Sequence, residues 1–377
     1  LKSLYIHIPF CESRCIYCAF YSTTHLVLRD DYVSALVQEM SIRETGSKIS
    51  TIYLGGGTPS QLSADQLRKL LYNINKVYNV EHNAEITIEC NPDDINEKYA
   101  EELADMGFNR VSLGAQTFSD ERLQLIRRRH SAIQVDNAIM MLRKAGIINI
   151  SIDLMFGFPN ETLADWECDI KHAISLKPQH ISAYSLMFEE NTPLHRMLVE
   201  GKINAADEEL CLAMFERLTK MLIAEGYEHY EISNFAQRSA LDTNHTKFRS
   251  VHNSNYWADV PYIGIGVSAH SYDLCERSWN IANIKEYIRI AKIGKRPIEG
   301  CETIDATTHY NDIVTTAMRT SEGISLNSLT QEQRDYLLKT ALPMAERGLI
   351  AITDTHVRLT HKGIFVSDSV MAELVKI

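Results

Sequence analysis

Apolar and β-branched residues gather in short runs along the first half of the chain: SLYIHI (3–8), TIYL (51–54), AEITIE (84–89), RVSLGA (110–115), INISIDL (148–154) and HISAYSL (180–186). Helix-like stretches separate them. SADQLRKLLYNI opens at Ser63, with Gln66 three residues later in a capping-box arrangement. NEKYAEELADMG and SAIQVDNAIMMLRKAG end at Gly107 and Gly146, where a helix commonly stops in a left-handed conformation. TLADWECDIKHAISL is a fourth such stretch. Strands alternating with helices imply parallel pairing through right-handed crossovers. Six units are too few to close an eight-stranded barrel. The pattern therefore predicts an α/β fold built on an open (β/α)6 partial TIM barrel, with a flat doubly wound sheet as the second choice.

After residue 190 the rhythm fades. A helical stretch (207–225) leads to a strand-like YEHYEISNFA, then to a polar, aromatic segment, NHTKFRSVHNSNYWADVPYIGIGVSAHSY (244–272). Helical patterns follow at 308–319 and 330–347, and LIAITDTHVRLTHKGIFV reads as two β-like runs around a polar turn. Helices followed by a β-hairpin suggest a small winged-helix-like module acting as a lid or docking domain. The expected division is a core over 1–240, an extension packed on it over 241–300, and the C-terminal module over 301–377.

Composition narrows the functional classes. With 377 residues, 45% of them hydrophobic, the chain can bury a large core. A net charge of −11 argues against nucleic acid or anionic membrane as the main partner. No apolar run reaches transmembrane length, and LKSLYIHIPF is too short and too polar for a signal peptide. Cys90, Cys168, Cys211, Cys275 and Cys301 are scattered, and are expected to be reduced, mostly buried thiols of a cytoplasmic protein.

The polar and glycine-rich residues fall at the carboxyl ends of successive strands, where parallel α/β sheets carry active sites. CESRCIYC (11–18) follows the first strand and GGGTPS (55–60) the second; Glu89 ends the third, Gln116 follows the fourth, Asp153 lies near the end of the fifth and Met187 ends the sixth. Cys11, Cys15 and Cys18 are soft ligands in a C-x3-C-x2-C spacing. A structural zinc would need a fourth ligand, for which His7 or His25 is available in the sequence. A disulfide with a spare thiol is the second option. The third is a 4Fe–4S cluster, where stopping at three cysteines leaves one iron open. On its own, GGG also suits a tight turn, and the run RRRH a solvated helix end.

The cysteine spacing, with Tyr17 before the last cysteine and a GGGTP segment after the next strand, resembles the radical SAM superfamily. That resemblance implies the open barrel of radical SAM type, a 4Fe–4S cluster on Cys11, Cys15 and Cys18, and S-adenosylmethionine chelating the fourth iron. YIHIPFC, GGGTPS, SLGAQTF and IDLMFGFP are similar, over most of the chain, to the branch that holds oxygen-independent coproporphyrinogen III dehydrogenases and their haem-chaperone relatives. It implies S-adenosylmethionine contacts at Tyr5, Tyr17, Gly56, Gly57, Thr58, Glu89, Gln116, Arg128, Asp153 and Met187. GIGVSAHSY, with His270, resembles the chaperone branch and is expected to return to the same site.

Three features separate the two sub-branches. Phe20 stands where the dehydrogenases carry a further cysteine, and the chain begins almost at its first strand, without their N-terminal extension. HNSNYW (252–257) matches the HNxxYW motif of the chaperones, which implies His252 as an axial haem ligand with Tyr256 and Trp257 as apolar walls. Taken without the family, HNSNYW reads as a polar turn with buried aromatics. The expected function is a haem chaperone that passes haem to an acceptor protein and draws on an electron donor, neither of which the sequence names. The alternative is radical decarboxylation of coproporphyrinogen III.

Overall fold

Lys2–Ile8 (β1), Lys48–Gly56 (β2), Asn79–Cys90 (β3), Arg110–Gln116 (β4), Asn149–Phe156 (β5) and His180–Ser185 (β6) stand parallel and in chain order. They do so in a computed structural model that describes residues 1–43, 46–239 and 246–376. The order never reverses, as it would in a doubly wound sheet. The six units therefore form the open partial barrel, and the flat alternative is ruled out.

Alternation along each strand sorts the side chains. Leu4, Ile6, Ile8, Ile52, Leu54, Ile88, Val111, Leu113, Ile150, Ile152 and Ile181 turn one way and belong to the main core. Helices Arg29–Ile42, Ala64–Val77, Glu97–Asp105, Ala132–Lys144 and Leu163–Ser175 follow β1 to β5 and cover that face through residues such as Leu36, Leu67, Leu103, Val135 and Ile170. Each fully buried side chain of this kind stabilises by about 1.5–3 kcal/mol. The residues between them share the opposite, inner face and are almost all polar: Tyr5 and His7, Thr51 and Tyr53, Thr87 and Glu89, Arg110 and Ser112, Ser151 and Asp153. The capping box at Ser63 forms, with Gln66 N at 3.3 Å from Ser63 Oγ and Ser63 N at 3.0 Å from Gln66 Oε1.

The sheet is wider than the pattern suggested. YEHYEISNFA is a hairpin, Tyr227–Glu231 (β7) and Asn234–Gln237 (β8), rather than one strand. The buried Glu231 carboxylate accepts Ser233 N–H at 3.0 Å and so turns the chain between them. β8 pairs antiparallel with β6. At the other edge Tyr262–Ile265 (β9) pairs parallel with β1, followed by His270–Tyr272 (β10), Glu276–Asn280 (β11) and Ile298–Thr303 (β12), to give twelve strands among the described residues. These strands are short and β12 is largely exposed, so no apolar alternation announced them.

A buried carboxylate fastens this extension to the core. Glu39, on the helix after β1, accepts Gly266 N–H at 3.0 Å, Asn280 Nδ2 at 2.7 Å and the Tyr287 hydroxyl at 2.5 Å, and pairs with Arg43 at 3.2 Å. One apolar core runs from Leu4 to Ala291. A second, from Tyr310 to Leu374, belongs to the C-terminal module of helices Ala306–Ala317 and Gln331–Glu346 with the strands Ile324–Ser325 (β13), Ile350–Ile352 (β14) and His356–Leu359 (β15). β13 completes a three-stranded antiparallel sheet around the expected hairpin. The expected boundary at 240/241 and the first two residues of the 244–272 segment lie outside the described residues. Among those described, no helix is long and apolar enough to cross a membrane.

Removing Glu39 leaves the Gly266 amide and the Tyr287 hydroxyl without an acceptor in the interior, and takes from Asn280 and Arg43 one of the partners each has. Glu39→Ala is expected to lower unfolding stability by roughly 3–5 kcal/mol, measured by urea denaturation. A loss below about 1 kcal/mol, the net worth of one ordinary hydrogen bond, would contradict this role.

Candidate cofactor site

The cysteine loop leaves β1 at Ile8 and is tied down by its backbone. Cys11 N–H donates to Thr23 O at 3.0 Å, Thr23 N–H to Pro9 O at 2.7 Å, and Ile16 N–H to Ile126 O at 3.3 Å. Arg129 clamps the loop from outside: it pairs with Glu12 and reaches Asp93 at 2.9 Å and Asp94 at 2.8 Å. Cys11, Cys15 and Cys18 are half-buried free thiols. Cys11 Sγ lies 3.6 Å from Thr58 Oγ1 in the glycine loop, and Arg128 Nη1 donates to Cys15 Sγ at 3.7 Å. Burial pushes the Cys11 and Cys18 thiols up, so a cation must deprotonate them on binding.

His7 does not complete a zinc site. Its Nε2–H donates to Tyr21 O and its Nδ1 accepts the Tyr5 hydroxyl, both at 3.1 Å, which uses both ring nitrogens. His25 is exposed. Among the described residues no three Cys, His, Asp or Glu side chains gather as they would on a single metal ion. Three soft donors with a guanidinium against one of them fit an anionic thiolate cluster.

The glycine loop meets this loop at close range. Gly56 has φ +115°, and a Cβ there would sit 2.6 Å from the His7 ring; at Gly57 it would sit 2.7 Å from the Pro9 backbone. Glu89 holds the loop from β3: its Oε2 accepts Gly56 N–H at 3.1 Å, and its Oε1 accepts the Tyr53 hydroxyl at 2.8 Å. Burial pushes this carboxyl up to about 7.

The remaining polar residues come together at the same end. Gln116 closes β4 in a left-handed conformation, φ +67°, beside a register shift against β5. Arg128 also donates to Asn91 Oδ1 at 2.8 Å and to Gly114 O at 2.6 Å, while its Nε is buried without a partner. Asp153 accepts the Ser112 hydroxyl at 3.2 Å. Tyr17 packs at the rim with Ile16, Phe158 and Leu186. Met187 and Phe20 are exposed beyond the strand ends, Phe20 at 71%. Tyr53, Asn91 and Arg129 escaped the sequence reading. Tyr53 had a signal, since it lies two residues before Gly55 and so on the same face of β2.

The expected haem ligand His252 lies away from this end, and the expected contact His270 does not reach the glycine loop. HNSNYW is a helix, Val251–Trp257, not a turn, and Glu85 accepts its first amides, Val251 N–H at 3.1 Å and His252 N–H at 2.9 Å. His252 is 1% exposed and stacks on Tyr53 with ring centroids 4.9 Å apart. Its Nδ1 lies 2.8 Å from Thr51 Oγ1 and its Nε2 3.0 Å from the Tyr256 hydroxyl. Burial holds it down to about 3, so the imidazole is neutral, but neither nitrogen is free. Thr51 lies early in β2 and Glu85 pairs with it, four residues before Glu89 in β3, so His252 closes the amino end of the barrel, opposite the cysteines. His270 begins β10 with its ring against Trp279, 6.0 Å between centroids, and makes no hydrogen bond to the glycine loop among the described residues. A cavity of ≈ 330 Å³ lies behind the His252 helix, lined by the aromatic rings of Tyr256, Trp257, Tyr262 and Tyr272 and by Arg277, Asp259, Asp312 and Thr316.

Comparison with known proteins agrees with this geometry. Residues 5–173 match the model of the radical SAM superfamily, and residues 304–366 that of the HemN C-terminal domain. The chain is 35% identical to heme chaperone HemW of Bacillus subtilis (strain 168), covering 98% of each chain. It is 34% identical to heme chaperone HemW of Lactococcus lactis subsp. lactis (strain IL1403), over 94% of this chain and 93% of that one. Among solved structures it resembles the coproporphyrinogen III oxidase HemN of Escherichia coli, described as a radical SAM enzyme, with a TM-score of 0.85 at 23% identity over 100% of this chain and 90% of that one. At that identity the likeness shows the fold.

The position of Glu89 has a measurable consequence. Its folded pKa of about 7 is above the ordinary 4.5, so its contribution to stability is present below pH 4.5 and is lost as pH rises towards 7. In cluster-free protein, Glu89→Gln is expected to lose less stability than wild type between those two pH values, followed by urea midpoints. Parallel curves for the two proteins would contradict the buried carboxyl.

Proposed function

The chain belongs to the HemW family of the radical SAM superfamily, and on that footing we propose that it is a cytoplasmic haem chaperone carrying a 4Fe–4S cluster on Cys11, Cys15 and Cys18. The observation that carries the cluster reading is the set of three half-buried thiols at the strand ends, with Arg128 against Cys15 and Thr58 against Cys11. When bound, the cluster supplies one-electron chemistry and an iron open to the amino and carboxylate groups of S-adenosylmethionine. Gly56 and Gly57 let the backbone approach that ligand. Glu89 and Asp153 are suited to accept from its amino N–H groups and ribose hydroxyls, and Arg128 to its carboxylate. Thr58 and Gln116 supply further polar contacts, and Tyr5, Tyr17 and Met187 border them. His270 has less support, because its ring turns to Trp279.

Haem is assigned to the HNSNYW helix. Tyr256 and Trp257 carry that helix into the aromatic cavity, which supports a porphyrin edge there. Ligation by His252 requires its bond to Tyr256 to break and the helix to turn outward, so haem binding is coupled to opening of the amino end of the barrel. An acceptor protein and an electron donor complete the reading.

Anaerobic reconstitution should give about four irons per chain, and Cys15→Ala should lose them; stoichiometric zinc without iron would sink the cluster. Asp153→Ala should weaken S-adenosylmethionine binding, read by calorimetry, with the iron retained. His252→Ala should weaken haem binding by roughly 10–100-fold and change the Soret band. An unchanged spectrum and affinity would place the ligand elsewhere. Catalytic release of protoporphyrinogen from coproporphyrinogen III by the wild type would make the protein a dehydrogenase instead.

A further inference from the structure

Arg110 opens β4 on the inner face of the barrel and is 1% exposed. Its Nε and Nη1 are buried and have no hydrogen-bond partner among the described residues. Its register neighbours share that state: Thr87 Oγ1 on β3 and Asn149 Oδ1 on β5 are also buried and unpartnered. A guanidinium with two buried, unpartnered nitrogens needs a counter-charge nearby. The next residues on the same face supply it. Glu89 stands two residues beyond Thr87, and Ser112, two beyond Arg110, donates to Asp153 at 3.2 Å. The positive charge of Arg110 acts on both carboxyls, and on His180 and His252 below them.

We propose that Arg110 is a positioning residue for the S-adenosylmethionine site, supplying from beneath a counter-charge that favours the ionised forms of Glu89 and Asp153 and holds them in place for the ligand. The proposal rests on the reading of these two carboxylates as ligand contacts. Arg110 itself does not touch the ligand, since it lies one row below Glu89 and two rows below Asp153, at the start of β4. The other titratable or charged groups facing the pair are Tyr5 from β1, Tyr53 from β2, Arg128 beyond β4 and Tyr184 from β6, while Cys90 turns to the core on the opposite face of β3. Of these only Arg128 is a cation, and it is already engaged with Cys15, Asn91 and Gly114. Without Arg110, burial acts on both carboxyls with less opposition. They then stay protonated to higher pH, and a protonated carboxyl accepts the ligand's N–H and O–H groups poorly.

The test is the pH profile of S-adenosylmethionine affinity, measured by calorimetry on the full-length, anaerobically reconstituted protein, with iron content as a control. Arg110→Met is expected to keep its iron but to move the profile up by about one pH unit, which makes binding roughly tenfold weaker at pH 7. Arg110→Lys, which keeps the charge, should restore most of it. Asp153→Asn is measured beside them. If Asp153→Asn weakens binding while Arg110→Met follows the wild-type profile, the carboxylate site stands and the role of Arg110 is refuted. If Asp153→Asn binds like wild type, the site reading fails and the proposal with it. Should Arg110→Met not fold, Arg110→Gln is read by the same two criteria.

Discussion

Everything in this molecule depends on a period of two that divides six parallel strands into an apolar outer face and a polar inner one. The outer face, from Leu4 to Ile181, is sealed by helices and carries the stability. That frees the inner face for residues no ordinary core would accept, among them Glu89, Arg110 and Asp153. A one-residue slip in any strand would exchange the two sets, so the register that secures the fold is also what assembles the site.

The two ends of this polar interior serve different purposes. At the carboxyl ends, loops of different strands interlock: the cysteine loop leans on Thr58, Gly56 on Glu89, and Arg128 spans Cys15, Asn91 and Gly114. At the amino end a short helix seals the interior through His252, held by Thr51, Tyr53 and Tyr256. The interior links the ends physically, since Tyr53 stacks on His252 and donates to Glu89. A movement of the His252 helix would therefore disturb a side chain that also bears on Glu89.

Much of this was legible in the sequence because the signals were periodic or chemically rare. The six strands and the helices after them follow from runs such as TIYL and from caps such as Ser63. The three cysteines follow from their spacing, and the glycine loop from its composition. What was not legible depends on contacts remote in sequence. His7 looked free for a metal until Tyr5 and Tyr21 were seen to occupy both nitrogens. HNSNYW looked like a turn because its helix has only seven residues and owes its start to Glu85, 166 residues earlier. Strands β9 to β12 are held by Glu39 and by pairing rather than by their own pattern. Arg110 reads as an ordinary strand-edge arginine until the register sets it beneath two carboxylates.

The central claim is that three cysteines hold a cluster whose open iron faces the residues gathered at the strand ends. Electron paramagnetic resonance of the reduced, reconstituted protein with and without S-adenosylmethionine tests it most directly. The account predicts a 4Fe–4S signal whose g-values shift when the ligand is added, because the ligand joins the open iron. A signal that stays the same at saturating ligand would contradict it.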